Sequence, residues 1–287
     1  IVFLVIVGTV AVYGLTAAPL ARWLDLADPN PRGVLFVGAG AWVRRVAKFV
    51  QDLGYQVLLV DNNPEHIRTA EEEGLPAHRG NALSESLLDE IDLSGIGRLL
   101  ITIPNDEVGS LAALHFSEVF ETTDIYQLGA EASSRRQKPG DMPKHLRGRP
   151  LFGEHTSYQT LDDTIEDGEI KVFRVAADFP SDEQKEFYTF DDLNEQYKDL
   201  TIVPLFILRD DNLLVVSEIS QFSLRAQDRL VALVGPSDTP IQQEREASGP
   251  AMFEMDEAST HTGNGSLPED ADSSGEEPSP RNPFSRG

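Results

Sequence analysis

The chain has 287 residues, enough for one large or two small domains with proper cores. It carries 48 Asp and Glu against 24 Lys and Arg, a formal charge of −24. Duplex nucleic acid is bound through Lys and Arg neutralising phosphates, so this balance argues against a nucleic-acid partner. There is no cysteine, which excludes disulfides, thiolate nucleophiles and cysteine-ligated metal. The six histidines are scattered without H-x-x-x-H or H-x-H spacing, and no metal site is expected.

From Ile1 to Ala21 there is no charged residue. As a helix rising about 1.5 Å per residue this stretch spans roughly 31 Å, the thickness of a bilayer's hydrocarbon layer. The small residues Gly8, Thr9, Gly14, Thr16, Ala17 and Ala18 recur within it, as suits close packing inside a membrane bundle. Arg22 and Trp23 follow, residues expected at the headgroups. A transmembrane helix over 1–24 is therefore expected. Arg22 and Arg32 place its C-terminal side in the cytoplasm by the positive-inside rule. A signal peptide, which would carry a basic start and a shorter apolar run, and a buried soluble helix are the alternatives. The opening at Ile1, already inside an apolar run, suggests a fragment of a longer chain.

Residues 33–37 read as a short buried strand, followed by Gly38-Ala39-Gly40-Ala41-Trp42-Val43 and an amphipathic helix from Arg44 to Leu53, stopped by Gly54. A second strand, Gln56 to Val60, ends in Asp61, twenty-one residues after Gly40. This is a βαβ unit whose glycines let backbone amides approach a phosphate at the helix start. A carboxylate closing the second strand can accept hydrogen bonds from both ribose hydroxyls, and it repels a 2′-phosphate. Val43 replaces the third glycine of the G-x-G-x-x-G pattern, so the helix is expected to stand slightly further from the sheet.

Further along, a helix from Pro64 to Glu73 ends at Gly74, and a short strand near Pro76–His78 leads to Gly80-Asn81-Ala82. A helix over Ser84–Ile91 precedes a strand over Arg98–Ile103, then Pro104-Asn105-Asp106-Glu107, a helix over Val108–Phe120 and a last strand over Ile125–Leu128. Alternating strands and helices with short loops predict an α/β fold, a Rossmann-like doubly wound parallel sheet. Its ligand should lie beyond the carboxyl ends of the strands, where strand order reverses.

Residues 131–149 hold Arg135, Arg136, Lys138, Lys144, His145, Arg147 and Arg149 against two acids, Glu131 and Asp141. Anionic lipid headgroups are a candidate partner for this basic linker (131–150), with an ordinary solvated loop as the alternative. Residues 151–168 suggest a strand start and a helix. Strands are then predicted over Glu169–Val175, Ile202–Arg209, Leu213–Val216 and Arg229–Val234, with Asp210-Asp211-Asn212 as a hairpin turn. A small α+β domain over 151–236 is expected. Beyond it, residues 237–287 are dominated by Ser, Pro, Gly, Asp and Glu, and a disordered acidic tail is expected. Met252, Phe253 and Met255 form a stray apolar cluster within it.

Two resemblances add to this reading. The pattern Gly8-Thr9-Val10…Tyr13-Gly14-Leu15-Thr16-Ala17…Pro19-Leu20-Ala21 resembles the last transmembrane helix of the monovalent cation:proton antiporter family, in bacterial members that carry a regulatory tail. Residues 32–130 resemble the TrkA-N domain, the N-terminal half of the regulator of potassium conductance (RCK) fold. The likeness rests on Gly38-x-Gly40, Asp61-Asn62, Gly80-Asn81-Ala82 and Thr102-x-x-Asn105-Asp106-Glu107, and Asn81 stands where that family usually has Asp. Val203-Pro204…Arg209 through Gln227-Asp228-Arg229-Leu230-Val231 loosely resembles TrkA-C.

The TrkA-N resemblance implies binding of NAD(H), AMP, ADP or ATP. Gly38, Ala39, Gly40, Ala41, Trp42 and Val43 would face the phosphates, with Asp61 and Asn62 at the adenine ribose. Asn81 and Ala82 would line the adenine side, and Thr102, Ile103, Pro104 and Asn105 the cleft floor. It also implies a homodimer and an upstream antiporter transmembrane domain in the inner cell membrane that holds the ion-carrying residues. The same domain on a potassium channel or potassium uptake system is an alternative. A membrane-anchored NAD-dependent oxidoreductase is a third, but the chain has no Tyr-x-x-x-Lys pair and no His with an obvious orienting acid at the strand ends. An enzyme is not expected.

Overall fold

The hydrophobic run Gly33–Val37 is buried on both faces, which in a parallel sheet requires helices on both sides. The computed structural model supplies them; it describes residues 2–23, 31–129, 147–153, 156–175, 187–210, 212–236 and 253–257. The first sheet is built from β1 (Gly33–Val37), β2 (Val57–Asp61), β3 (Ala77–Arg79), β4 (Ile96–Ile101), β5 (Ile125–Gln127) and β6 (Arg149–Pro150), all parallel, in the order 3-2-1-4-5-6. Side chains alternate along β1. Val34 and Phe36 pack with helices α2 (Ala41–Asp52) and α3 (Pro64–Glu72), while Leu35 and Val37 pack with α4 (Glu85–Glu90) and α5 (Asp106–Phe116). The expected doubly wound sheet is present, and the order reverses between β1 and β4.

The element ends have local causes. Gly54 and Gly74, both at positive φ, follow α2 and α3, where a residue with a side chain would be disfavoured. Asn105 caps α5 by accepting from Val108 N–H at 2.9 Å, so that helix begins at Asp106 rather than at Val108 and ends before Phe120. The fourth strand ends at Ile101, two residues earlier than expected; the Thr102 N–H still donates to Val37 O at 2.9 Å, and Thr102 and Ile103 line the cleft.

The second sheet is antiparallel, in the order β11-β7-β10-β8-β9. Its strands are β7 (Glu169–Val175), β8 (Leu200–Arg209), β9 (Asn212–Val215), β10 (Arg229–Pro236) and β11 (Phe253–Glu257), with helices α6 (Tyr158–Asp167) and α7 (Phe190–Gln196). Pro204 lies within an inner strand, where its missing N–H would break the ladder. The register between β8 and β10 slips by one at that point, so the proline falls at a bulge. At the far end of β8, Arg209 clamps the 3 % exposed Asp228. Arg209 Nε is 3.0 Å from both carboxylate oxygens, and Nη2 is 2.6 Å from Oδ2. The Arg225 N–H donates to the same carboxylate at 2.9 Å.

The two sheets share one core. Trp42 and Val46 of α2, Leu161 and Ile165 of α6, and Phe206 and Leu233 of the second sheet belong to a single buried cluster. Trp42 meets Phe152 edge-on at 6.5 Å, and Phe152 meets Phe206 edge-on at 5.4 Å.

Three expectations change. Residues 149–150 are not linker but the sixth strand, since Arg149 pairs with Tyr126 in the ladder and its guanidinium lies over the Tyr126 ring at 5.3 Å. Of the other basic residues in that segment, Arg147 pairs with Asp106 at 3.0 Å, while Arg135, Arg136, Lys138, Lys144 and His145 lie outside the described residues. Between the predicted strands Glu169–Val175 and Ile202–Arg209, where the sequence suggested no element, Phe190–Gln196 forms helix α7, capped by a reciprocal Thr189–Asp192 box. The third change concerns the tail. Phe253–Glu257 forms β11 on the edge of β7, because Phe253 is buried against Tyr188 and its backbone is gripped by Gln196 and Tyr197. The remainder of 237–287, Met252 included, lies outside the described residues.

Residues Val2–Trp23 form helix α1. Phe3, Tyr13 and Leu15 are exposed, as is most of its described apolar surface, and the Thr9 and Thr16 hydroxyls are satisfied by carbonyls of their own helix. Among the described residues no helix is long and apolar enough to cross a membrane; of α1, the side chains of Leu4 and of 17–23 lie outside the description.

Asp228 is buried but Arg209 is partly exposed, so removing the carboxylate forfeits its charge-assisted hydrogen bonds, a loss of about 1.5–3 kcal/mol. Asp228→Ala should therefore lower unfolding stability by about that much, read in denaturant melts of the chain.

Candidate functional site

The carboxyl ends of β1, β2 and β4 converge on a cleft of about 290 Å³ at the strand-order reversal. Its corner is the turn after β1. Gly38 has φ +111°, and a Cβ there would stand 2.6 Å from Thr102 Oγ1, so both conformation and space require glycine. Thr102 is buried and its hydroxyl donates to Val37 O at 2.9 Å, which joins the ends of β1 and β4.

Asp61 holds the turn from the other side. Its Oδ2 accepts from Ala39 N–H at 2.8 Å and meets His66 Nδ1 at 2.9 Å; its Oδ1 accepts from Asn63 N–H at 2.9 Å. The Ala39 carbonyl in turn accepts from Arg44 Nη1 at 2.8 Å, and Arg44 pairs with Glu73 at 3.2 Å. Burial pushes the Asp61 carboxyl up, but the hydrogen bonds from Asn63, His66 and Ala39 together outweigh it and hold Asp61 below the usual carboxylate range. It is thus an anion at neutral pH, at the strand end where a ribose would come.

Of the residues expected at the site, Gly38, Ala39, Gly40, Asp61, Asn62, Asn81, Ala82, Thr102, Ile103 and Pro104 line this one cleft. Four do not. Trp42 and Val43 are wholly buried in the core shared with the second sheet, since the face of α2 that carries them packs inward. Ala41 is exposed outside the cleft, and Asn105 is spent as the cap of α5. Asn81 Oδ1 accepts from Leu83 N–H at 3.0 Å, closing a local turn.

Among the lining residues that carry no site expectation, Asn63, His66 and Tyr158 bring polar side chains to the cleft. His66 was legible in principle, being in the first turns of the helix that follows Asp61. It also corrects the expectation that no histidine has an orienting acid at the strand ends, because the short β2–α3 connection folds it back onto Asp61. Tyr158 had no local signal, since it arrives from the second half of the chain.

The TrkA-N domain model matches residues 34–139. The matched stretch, rather more than a third of the chain, is similar to a TrkA-N domain. It contains the turn, Asp61 and every cleft residue named here except Tyr158.

Solved structures similar to the chain include the NAD(P)-binding domain of an exopolyphosphatase-related protein from Archaeoglobus fulgidus, 23% identical, covering 37% of this chain and 77% of that one, TM-score 0.32. The TrkA-N domain of inner membrane protein ybaL from Escherichia coli is 18% identical over 37% of this chain and 78% of that one, TM-score 0.31. The GsuK channel bound to NAD is 14% identical over 81% of this chain, TM-score 0.34, and the chain spans 44% of its length. Likenesses this distant add nothing to what the sheet order shows by itself. No curated protein matches the chain.

Because the folded Asp61 pKa lies below its unfolded value, its contribution to stability is present above the ordinary carboxylate range and is lost as pH falls below about 4. Asp61→Asn should be less stable than the unsubstituted chain at pH 7, and the gap between their melting curves should close on acidification through that range.

Proposed function

We propose that the chain is the nucleotide-sensing regulatory region of a membrane sodium or potassium/proton antiporter. In this reading its TrkA-N domain lies on the cytoplasmic side of the inner membrane, α1 joins it to the upstream transport domain that carries the ion, and two copies pair as a homodimer. The observation that carries the nucleotide part is the pinned corner at Gly38–Gly40 facing the Asp61 carboxylate across one cleft. Amides at the start of α2 suit a phosphate, and an ionised Asp61 suits a ribose diol. The cleft volume is at the lower end of small-molecule pockets, roughly 300–1,000 Å³, which favours an adenine mononucleotide; NAD(H) would have to extend beyond it.

The membrane part is supported by α1, whose exposed apolar side chains Val2, Phe3, Ile6, Val10 and Leu15 find no cover in the described protein. The same region on a potassium channel or uptake system is the second reading, favoured equally by the TrkA-N match; the membrane spans encoded upstream separate the two. We propose no catalytic role. The His66–Asp61 pair sits where the ribose would bind, not beside a hydride acceptor, and is occupied in holding the turn.

Titration calorimetry on the purified chain tests the nucleotide reading with AMP, ATP, NADH and adenosine 2′,5′-bisphosphate. AMP should bind more tightly than the bisphosphate, whose 2′-phosphate meets Asp61, and Asp61→Asn should narrow that preference roughly tenfold through loss of the charge. Absence of heat with every ligand would end this reading.

A further inference from the structure

Tyr158 is the one residue of the cleft that comes from outside the TrkA-N domain. Its hydroxyl stands directly over the corner: a Cβ placed on Gly40 would lie 2.5 Å from it. That is the space above the first amides of α2, where a phosphate is expected. The ring is held edge-on to Trp42, with centroids 5.9 Å apart. The buried Trp42 indole N–H is close to the phenol yet makes no regular hydrogen bond, so the corner keeps an unsatisfied donor beside it.

What Tyr158 is attached to matters as much as what it touches. It is the first residue of α6, capped by Ser157, and α6 buries Leu161 and Ile165 in the core common to both sheets. Arg45 of α2 donates to the Ile165 carbonyl. At the other end of α6, a Cβ on Gly168 would lie 2.2 Å from Thr164 O and 2.7 Å from Val234 O, so the helix end and β10 are in contact with no slack. Just before α6, the buried Phe152 adopts φ +62°, a conformation that costs a bulky residue of order 1–3 kcal/mol and persists only where its surroundings hold it. A shift of the phenol therefore cannot be absorbed locally.

We propose that Tyr158 is the contact through which a phosphate in the cleft is communicated to the C-terminal sheet: its hydroxyl donates to the bound phosphate, leaves its place over Gly40, and carries α6 and β10 with it. This inference rests on the nucleotide reading above and adds its regulation. Burial pushes the phenol's pKa up, with the charges of Asp162 and Asp61 acting in the same direction, so it keeps its proton and remains a donor at neutral pH.

The test uses the full chain, AMP and phosphate-free adenosine, with calorimetry for affinity and amide hydrogen exchange for α6 and β10. In the unsubstituted chain AMP, and not adenosine, should change exchange over 158–167 and 229–236. Tyr158→Phe keeps the ring against Trp42 and so keeps the fold, which an unchanged melting midpoint verifies. It should weaken AMP roughly tenfold, as expected for a lost hydrogen bond to a charged group, leave adenosine unaltered, and abolish the exchange change. AMP binding by Tyr158→Phe with the original affinity and the original exchange change would overturn the proposal. So would a Tyr158→Ala variant that binds AMP more tightly while Tyr158→Phe is unaltered, because the phenol would then only crowd the cleft. If the unsubstituted chain binds no AMP, the nucleotide reading itself fails.

Discussion

One carboxylate organises the site. Asp61 closes β2 and reaches across to the amide of Ala39, so the turn that follows β1 is held by a charge-assisted hydrogen bond as well as by its glycines. The same group gathers Asn63 and His66 around it, and the Arg44 guanidinium donates to the Ala39 carbonyl in the next peptide of the turn. Without such anchoring, a glycine-rich turn would have many conformations of similar energy. Here it is set at the reversal of strand order, with its amides and an anion facing one cleft. The chemistry that arrangement suits is recognition of a ribose phosphate.

The packing joins the cleft to the second sheet. In many two-domain chains the interface is thin and polar, and the halves move separately. Here α2, which begins at the glycine turn, presents Trp42, Val43 and Val46 to a core that continues through Phe152 and Leu161 into β8 and β10. Interiors packed at crystal-like density change by switching between arrangements rather than by yielding gradually. A ligand at the turn therefore acts on a structure whose second sheet is already joined to it. Affinity alone shifts nothing; the two arrangements must differ in how they hold the phosphate.

The second sheet has its own logic. Its inner strands are held at one end by the Arg209–Asp228 pair, and its β7 edge is closed by a strand from the acidic tail. An uncovered edge is a template for pairing with other chains, and β11 removes it on that side. Three negatively charged residues in β11, Glu254, Asp256 and Glu257, make that edge a poor partner for another copy.

Much of the parallel-sheet domain was readable from residues alone, because its signals are local. The continuous apolar run Gly33–Val37, the Gly38-x-Gly40 turn, Asp61 at a strand end and the glycines past α2 and α3 depend on neighbours a few positions away. Ten expected residues share the cleft for that reason, since strand ends in a parallel sheet all point the same way. What the sequence could not decide involves distant partners. Whether Trp42 faces the cleft or the core depends on a second sheet more than a hundred residues later, and that sheet claims it. Tyr158 enters the site only because α6 packs on α2. Phe253 leaves an otherwise unpatterned tail only because Tyr188, Gln196 and Tyr197 form its receptor. Local periodicity determined the elements and the pocket's chemistry; burial of apolar surface between remote segments, which no short window of residues encodes, decided what touches the pocket and what the pocket is joined to.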